Sequence, residues 1–146
     1  MEAHQLTLSL SATPAAVSAA RHEAADAMAG WKAEELNSDV LHTAGLVISE
    51  LLANAVQHAD TDHVSMAVRL IDAALRIEVW DSSPVLPRPR LPDDHSEDGR
   101  GLFLVTALTD RYGAKPTPTG KRCWAEIDLT IRSDRETAVS LPLQRS

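Results

Sequence analysis

The chain has 146 residues, hydrophobic residues make up 44% of it, and its formal net charge is −7. That length fits one domain with one core and leaves no room for a sensor, a dimerisation stalk and a catalytic domain together. An acidic chain whose basic residues are spread out offers no dense positive face, which argues against nucleic acid and anionic membrane as partners.

The elements follow in chain order. Gln5 to Leu10 alternates, with Leu6, Leu8 and Leu10 on one face, and predicts a first strand. Thr13 and Pro14 open a helix as N-cap and first helical residue, and an Ala-rich run carries it to Ala29, with Gly30 as its stop. The strongest helix is predicted over Ser38 to Ala59, capped by Ser38. Leu41, Ala44, Ile48, Leu51, Leu52, Ala55 and Ala59 form its apolar stripe. His63 to Leu70 and Ala74 to Trp80 alternate strictly and read as a hairpin joined by Ile71, Asp72 and Ala73. Leu75, Ile77 and Val79 face inward and Arg76, Glu78 and Trp80 outward.

Ser82 to Asp98 carries Pro84, Pro87, Pro89 and Pro92 and no periodicity, so it reads as a long surface segment of the kind that is functional or disordered. Gly101 to Asp110 fits a short helix, Pro116 to Gly120 a turn, and Lys121 to Leu129 a last strand with Cys123, Ala125, Ile127 and Leu129 on one face. Five aromatic residues (Phe103, Tyr112, Trp31, Trp80, Trp124) leave the core to Leu, Val, Ile and Ala. The expected order is β-α-α-β-β-loop-α-β. That is an α+β two-layer sandwich: a mixed, mostly antiparallel sheet with helices on one face. The domain is expected over 1–131, with a flexible tail over 132–146.

Three segments carry chemistry. Glu50, Asn54 and His58 lie at i, i+4 and i+8 on one face of the long helix, beside its apolar stripe. A carboxylate and a carboxamide there serve each other, a metal or a ligand, or form a solvated edge. Asp81 ends an apolar strand before the proline-rich segment. There it can accept a hydrogen bond from an amine such as adenine N6, or simply initiate a turn. Gly99, Arg100, Gly101 and Leu102 open a helix. Free N–H groups and a positive dipole end would favour phosphate there, although an ordinary loop-to-helix turn has the same sequence.

The order of the three resembles the N box, G1 box and G2 box of the GHKL (Bergerat-type) ATP-binding fold, shared by gyrase, Hsp90 and histidine kinases. Leu46 to His58, Gly99 to Leu102, and the late run Trp124 to Ile127 are similar to the anti-sigma-factor serine kinases in particular. The resemblance covers Leu6 to Leu129. It implies Mg-ATP as ligand and cofactor, Asn54 as the Mg²⁺ ligand, and Glu50 as general base on a serine hydroxyl or on water. It also implies that Asp81 reads the adenine amine and that Gly99, Arg100, Gly101 and Leu102 hold phosphates through backbone N–H groups. The segment 82–98 would then be the ATP lid. His58 stands at the position of an N-box histidine, or packs as an edge residue. One departure concerns the G1 box, which in the family is Asp-x-Gly-x-Gly. Here Ser83 and Val85 stand at the glycine positions with Pro84 between them, so the backbone beside the nucleotide must take another path.

Other motifs carry less. Six histidines show no zinc spacing, and one cysteine, Cys123, excludes an intramolecular disulfide. Gly113 to Arg122 fails as a P-loop, because Arg122 stands where Ser or Thr is needed. No apolar run of about 18 residues reads as a membrane span. Met1 to Leu10 lacks the parts of a signal peptide, so the cytoplasm is the expected location. The resemblance implies a serine/threonine kinase acting on an antagonist protein and binding a sigma factor, and it allows a homodimer. Two alternatives stand beside that reading: a nucleotide-binding module that sequesters a partner with little kinase activity, and a detached histidine-kinase ATPase domain.

Overall fold

The computed structural model describes residues 4–58, 62–83 and 97–129, and for His58 and residues 97–102 the backbone alone. The element order is β1 (Gln5–Ser11), α1 (Pro14–Gly30), α2 (Ser38–His58), β2 (His63–Ile71), β3 (Ala74–Asp81), α3 (Glu97–Leu108), β4 (Arg111–Thr117) and β5 (Gly120–Asp128). The strands form one sheet in the order β1-β2-β3-β5-β4. Every described pairing is antiparallel. The α+β sandwich expected from the sequence is present, with β4 as an additional strand. The stretches expected as lid and tail lie largely outside the described residues.

β4 escapes sequence patterning for a physical reason. Arg111–Thr117 contains Gly113 and Pro116, residue types depleted in strands. Pro116 is tolerated because β4 is an edge strand. Gly113 pairs with Trp124, and a Cβ added there would come within 2.6 Å of the indole. A side chain at that position would displace the ring.

Local sequence sets the helix ends. Thr13 Oγ1 accepts the Ala16 N–H at 3.1 Å, as an N-cap should. For α2 the cap is Asn37 rather than Ser38: Asn37 Oδ1 accepts from Val40 N at 3.0 Å, and its carbonyl accepts the Leu41 N–H. Asn and Ser cap comparably, so the choice falls on the residue whose side chain reaches the third N–H. α1 ends on Gly30, but the left-handed residue that follows is Lys32, with φ 57°. The β2–β3 hairpin turns through Asp72, also left-handed with φ 53°, a conformation that Asp tolerates better than most side chains.

α2 crosses the sheet against β2, β3 and β5, flanked by α1 and α3. Its stripe of Ala44, Val47, Ile48, Leu51, Leu52 and Ala55 is buried against Val64, Met66, Val68, Leu75, Ile77, Val79, Cys123 and Ala125. Each large aliphatic side chain removed from water in this way contributes about 1.5–3 kcal/mol. Ser38–Gln57 is long and apolar enough to cross a membrane by length and composition, which corrects the expectation that no such run exists. Here its apolar face forms the core between the sheet and the other helices.

The other face of the sheet is polar but not simply solvated. Glu78 points outward, as alternation requires, yet its side chain is only 3% exposed. Arg69 lies 2.5 Å from one of its oxygens, and Arg76 and Arg122 lie 3.1 and 3.2 Å from the other. Arg76 also pairs with Glu126 at 2.5 Å and lies over the Trp124 ring. Arg111 joins Glu126 at 2.6 Å and pairs with Asp128 as well. The hydrogen bond from Arg111, aided by Arg76, holds the Glu126 carboxyl below the usual carboxylate range.

Cys123 faces the core, and burial pushes its thiol up to about 11, with Asp81 adding to the shift and Lys121 opposing it. A folded value above that of the unfolded thiol means that this residue's contribution to stability falls as pH rises from about 8.5 towards 11. We expect negligible reaction of Cys123 with a thiol reagent at pH 8 until urea unfolds the protein. We also expect a Cys123→Ala variant to lose less stability than wild type between pH 8 and pH 10.5. Rapid native-state labelling would contradict this assignment.

Candidate functional site

The inward face of β3 and β5 is a ladder of cross-strand pairs. Leu75 faces Ile127, Ile77 faces Ala125 and Val79 faces Cys123; the fourth rung pairs Asp81 with Lys121. Three apolar rungs therefore end in a charged one on the same, helix-facing side. Both charged side chains are 1% exposed. Lys121 Nζ lies 2.9 Å from each Asp81 oxygen, but it donates a hydrogen bond to Oδ1 alone. Ser83 N also donates to Oδ1, at 2.8 Å, closing a tight turn just past the strand. Oδ2 is buried and, among the described residues, accepts no hydrogen bond. An unsatisfied buried acceptor costs about 1–3 kcal/mol, so its presence at a strand end calls for a partner.

Close approach of β5 makes this arrangement possible. A Cβ on Gly120 would stand 2.0 Å from the Asp81 carbonyl oxygen and 2.6 Å from Ser82 Cα, both backbone atoms that cannot swing aside. In the sequence Gly120 reads only as the end of a turn, and Lys121 as the start of a strand. Neither draws notice until the register is known.

On α2, Asn54 is buried at 8% exposure, and Glu50, one turn earlier, is half-buried. Ala55 and Leu51 beside them are core residues, so the polar line runs along the edge of the packed stripe. His58 is the last residue of the helix. α2, which bears Asn54, packs against both β3 and α3, the elements that bear Asp81 and Gly101. An open cavity of about 250 Å³ at the end of the sheet is lined, among the described residues, by His63, Ser65, Trp80, Asp81, Ser82 and Thr119.

The glycine segment sits differently from its expected place. α3 begins at Glu97, not Gly101. Gly99 therefore falls in the first turn, whose N–H groups have no partner within the helix. Gly101 and Leu102 fall in the second turn, whose N–H groups are taken up by the helix itself. Two acidic residues, Glu97 and Asp98, occupy the start, where the helix dipole favours negative charge and helps the helix extend backwards. Any anion received here would meet the N–H groups around Gly99 rather than those of Gly101 and Leu102. Among the described residues no cluster of three or more His, Cys, Asp or Glu side chains is placed to hold a metal ion. A cation at Asn54 would therefore need ligands beyond such a cluster.

Residues 10–127 match the family model for the histidine kinase-like ATPase domain. The chain belongs to that family. It is thus an ATPase-type domain of the GHKL superfamily, and ATP is the ligand its fold implies. Among solved structures it is similar to the RsbU and RsbW domains of Rv1364c from Mycobacterium tuberculosis, with a TM-score of 0.65 and 21% identity over 86% of this chain and 32% of that one. A histidine kinase domain of the blue-light activated histidine kinase from Erythrobacter litoralis EL346 shares 26% identity over 68% of this chain and 48% of that one, with a TM-score of 0.49. The chain thus spans about a third and about half of these two structures. No curated protein sequence matches it.

The contact at Gly120 yields a stability test. Gly120→Ala must push the Asp81–Ser82 backbone away and should destabilise the protein by about 1–3 kcal/mol in urea unfolding. Gly45→Ala, in the interior of α2 with nothing within 4 Å of the added Cβ, should instead stabilise it, by about 0.5–1 kcal/mol. Equal effects from the two substitutions would contradict the close approach described here.

Proposed function

We propose that this domain binds Mg-ATP and transfers its terminal phosphoryl group to a serine or threonine of a partner protein, in the manner of an anti-sigma-factor kinase acting on an antagonist protein. The observation that carries this reading is the buried Asp81 carboxylate, one oxygen of which accepts no hydrogen bond among the described residues. It lies at the end of β3, a strand that packs against the helix bearing Asn54 and Glu50. An exocyclic amine of adenine supplies the donor that Oδ2 lacks.

Asn54 would hold Mg²⁺ through its side-chain oxygen, and the bound cation would neutralise charge on the phosphates. Glu50 is placed one turn before Asn54 on the same helix face, so a hydroxyl brought to the terminal phosphate meets a half-buried carboxylate. As the hydroxyl oxygen bonds to phosphorus, its proton passes to Glu50, and the bond to the bridging oxygen breaks to release ADP. Catalysis of this kind is mainly positioning and charge neutralisation, which a helix face and a helix N-terminus provide. His58, Ser83, Arg100 and the first-turn N–H groups around Gly99 complete the proposed nucleotide contacts; the N–H groups of Gly101 and Leu102, taken up within α3, are not among them. A sigma factor as second partner, a homodimer and a cytoplasmic location belong to the same reading.

The segment after Asp81 favours a second reading, a nucleotide-binding module that sequesters a partner with little transfer. Ser83 and Lys121 both engage Oδ1, so the carboxylate is tied on one side before any base arrives.

Two measurements test these readings. A thermal-shift titration with Mg-ATP should raise the apparent stability, since a ligand that binds only the folded state must do so. Labelled ATP with the cognate antagonist should give phosphoprotein with wild type. With Glu50→Ala it should give at least about a hundredfold less, ATP binding being kept. Transfer by the variant at the wild-type rate excludes Glu50 as the base, and ATP binding without any transfer selects the sequestering module.

A further inference from the structure

We propose that Lys121 is a base-reading residue, and that Lys121 and Asp81 together recognise adenine as a donor–acceptor pair. This rests on the nucleotide-binding reading above and adds to it a residue and a specificity.

The argument begins with the cost of the pair. A lysine and an aspartate, each 1% exposed, stand at the end of an otherwise apolar face. Removing both charges from water costs several kcal/mol per ion, and their attraction returns this only with good geometry and full satisfaction of the remaining donors and acceptors. Satisfaction is incomplete here, because among the described residues Oδ2 accepts no hydrogen bond. Among the described residues, Lys121 Nζ makes its ion pair with Asp81. Stability alone would be served as well by a fourth apolar rung, such as the three that precede it.

The pair therefore presents a carboxylate oxygen, Oδ2, that is in ion-pair range of the Lys121 ammonium at 2.9 Å but accepts no hydrogen bond among the described residues. The edge of adenine carries the complementary pattern, an N6 amine that donates next to an N1 that accepts. Asp81 Oδ2 takes the N6 amine, and Lys121 Nζ donates to N1. Guanine carries the opposite polarity, with a carbonyl where adenine has its amine and an N–H where adenine accepts. It would set oxygen against carboxylate and N–H against ammonium. A site built on buried hydrogen-bonding groups rejects a ligand that leaves them unpaired far more strongly than an apolar pocket can.

The tight turn fixes the orientation. Ser83 N and Lys121 both donate to Oδ1, which fixes the plane of the carboxylate and leaves Oδ2 as the oxygen with hydrogen-bonding capacity for the base. Gly120 keeps the Lys121 backbone close to the end of β3, so the ammonium stays on the carboxylate side.

Calorimetric titration of the whole chain with ATP, 1-deaza-ATP, purine riboside triphosphate and GTP tests this. 1-Deaza-ATP lacks only the N1 acceptor, and purine riboside triphosphate lacks only the amine. Wild type should bind 1-deaza-ATP about 10–100-fold more weakly than ATP, and GTP more weakly still. In Lys121→Met the gap between ATP and 1-deaza-ATP should close to within about threefold, while purine riboside triphosphate stays weak in both proteins. Equal binding of ATP and 1-deaza-ATP by wild type overturns the role of Lys121 and leaves the nucleotide reading intact. A preference for GTP also overturns it. No binding of any nucleotide overturns the nucleotide reading itself, and this inference with it. Should Lys121→Met fail to fold, the comparison of analogues on wild type decides the question alone.

Discussion

The constraint on which the rest depends is the fourth rung of the β3–β5 ladder, where an apolar face ends in a buried ion pair. Everything around it is arranged to make that rung possible. The antiparallel register brings Lys121 opposite Asp81, Gly120 admits the turn backbone, and the Ser83 N–H fixes one carboxylate oxygen. Breaking such a pair by removing one partner strands a charge in a dry environment, whereas an apolar replacement of both is tolerated by many folds. A buried charged pair of this kind, with one oxygen accepting no hydrogen bond among the described residues, is a poor stabiliser.

α2 is the second organiser. One helix supplies the centre of the core through Val47, Ile48, Leu51 and Leu52, and the polar edge through Glu50 and Asn54. Core and site therefore share a rigid body, and the spacing of Glu50 to Asn54 is fixed by the helix pitch rather than by a loop. α3 contributes from the other side. Its early start at Glu97 shifts the free N–H groups towards Gly99, away from where the glycine spacing would put them.

Periodicity was enough to identify both long helices, four of the five strands and the inward faces of those strands. Leu, Val and Ile at regular intervals report directly on burial. β4 left no such trace, because an edge strand can be built from Gly113 and Pro116 once a neighbour supplies the ladder. Asp81 was legible as a strand-ending carboxylate. Lys121 was not, since a lysine at the head of an alternating strand reads as a solvated flank, and only the pairing across some forty residues of sequence brings it to Asp81. Glu78 misled in a related way: its outward direction was correct, and its burial came from three arginines on neighbouring strands.

That arginine–carboxylate network is graded in depth across the sheet. At its centre Glu78 is 3% exposed, while at the β4 edge Arg111 and Asp128 are 46% and 51% exposed. Dissolved ions weaken attractions between charges they can surround and hardly touch those they cannot reach. Rising ionic strength should therefore loosen this surface from the rim inward, freeing β4 from its lateral ties while the middle strands hold their register. The edge nearest the last hairpin is thus the part of the outer face most open to tuning by the salt content of its surroundings.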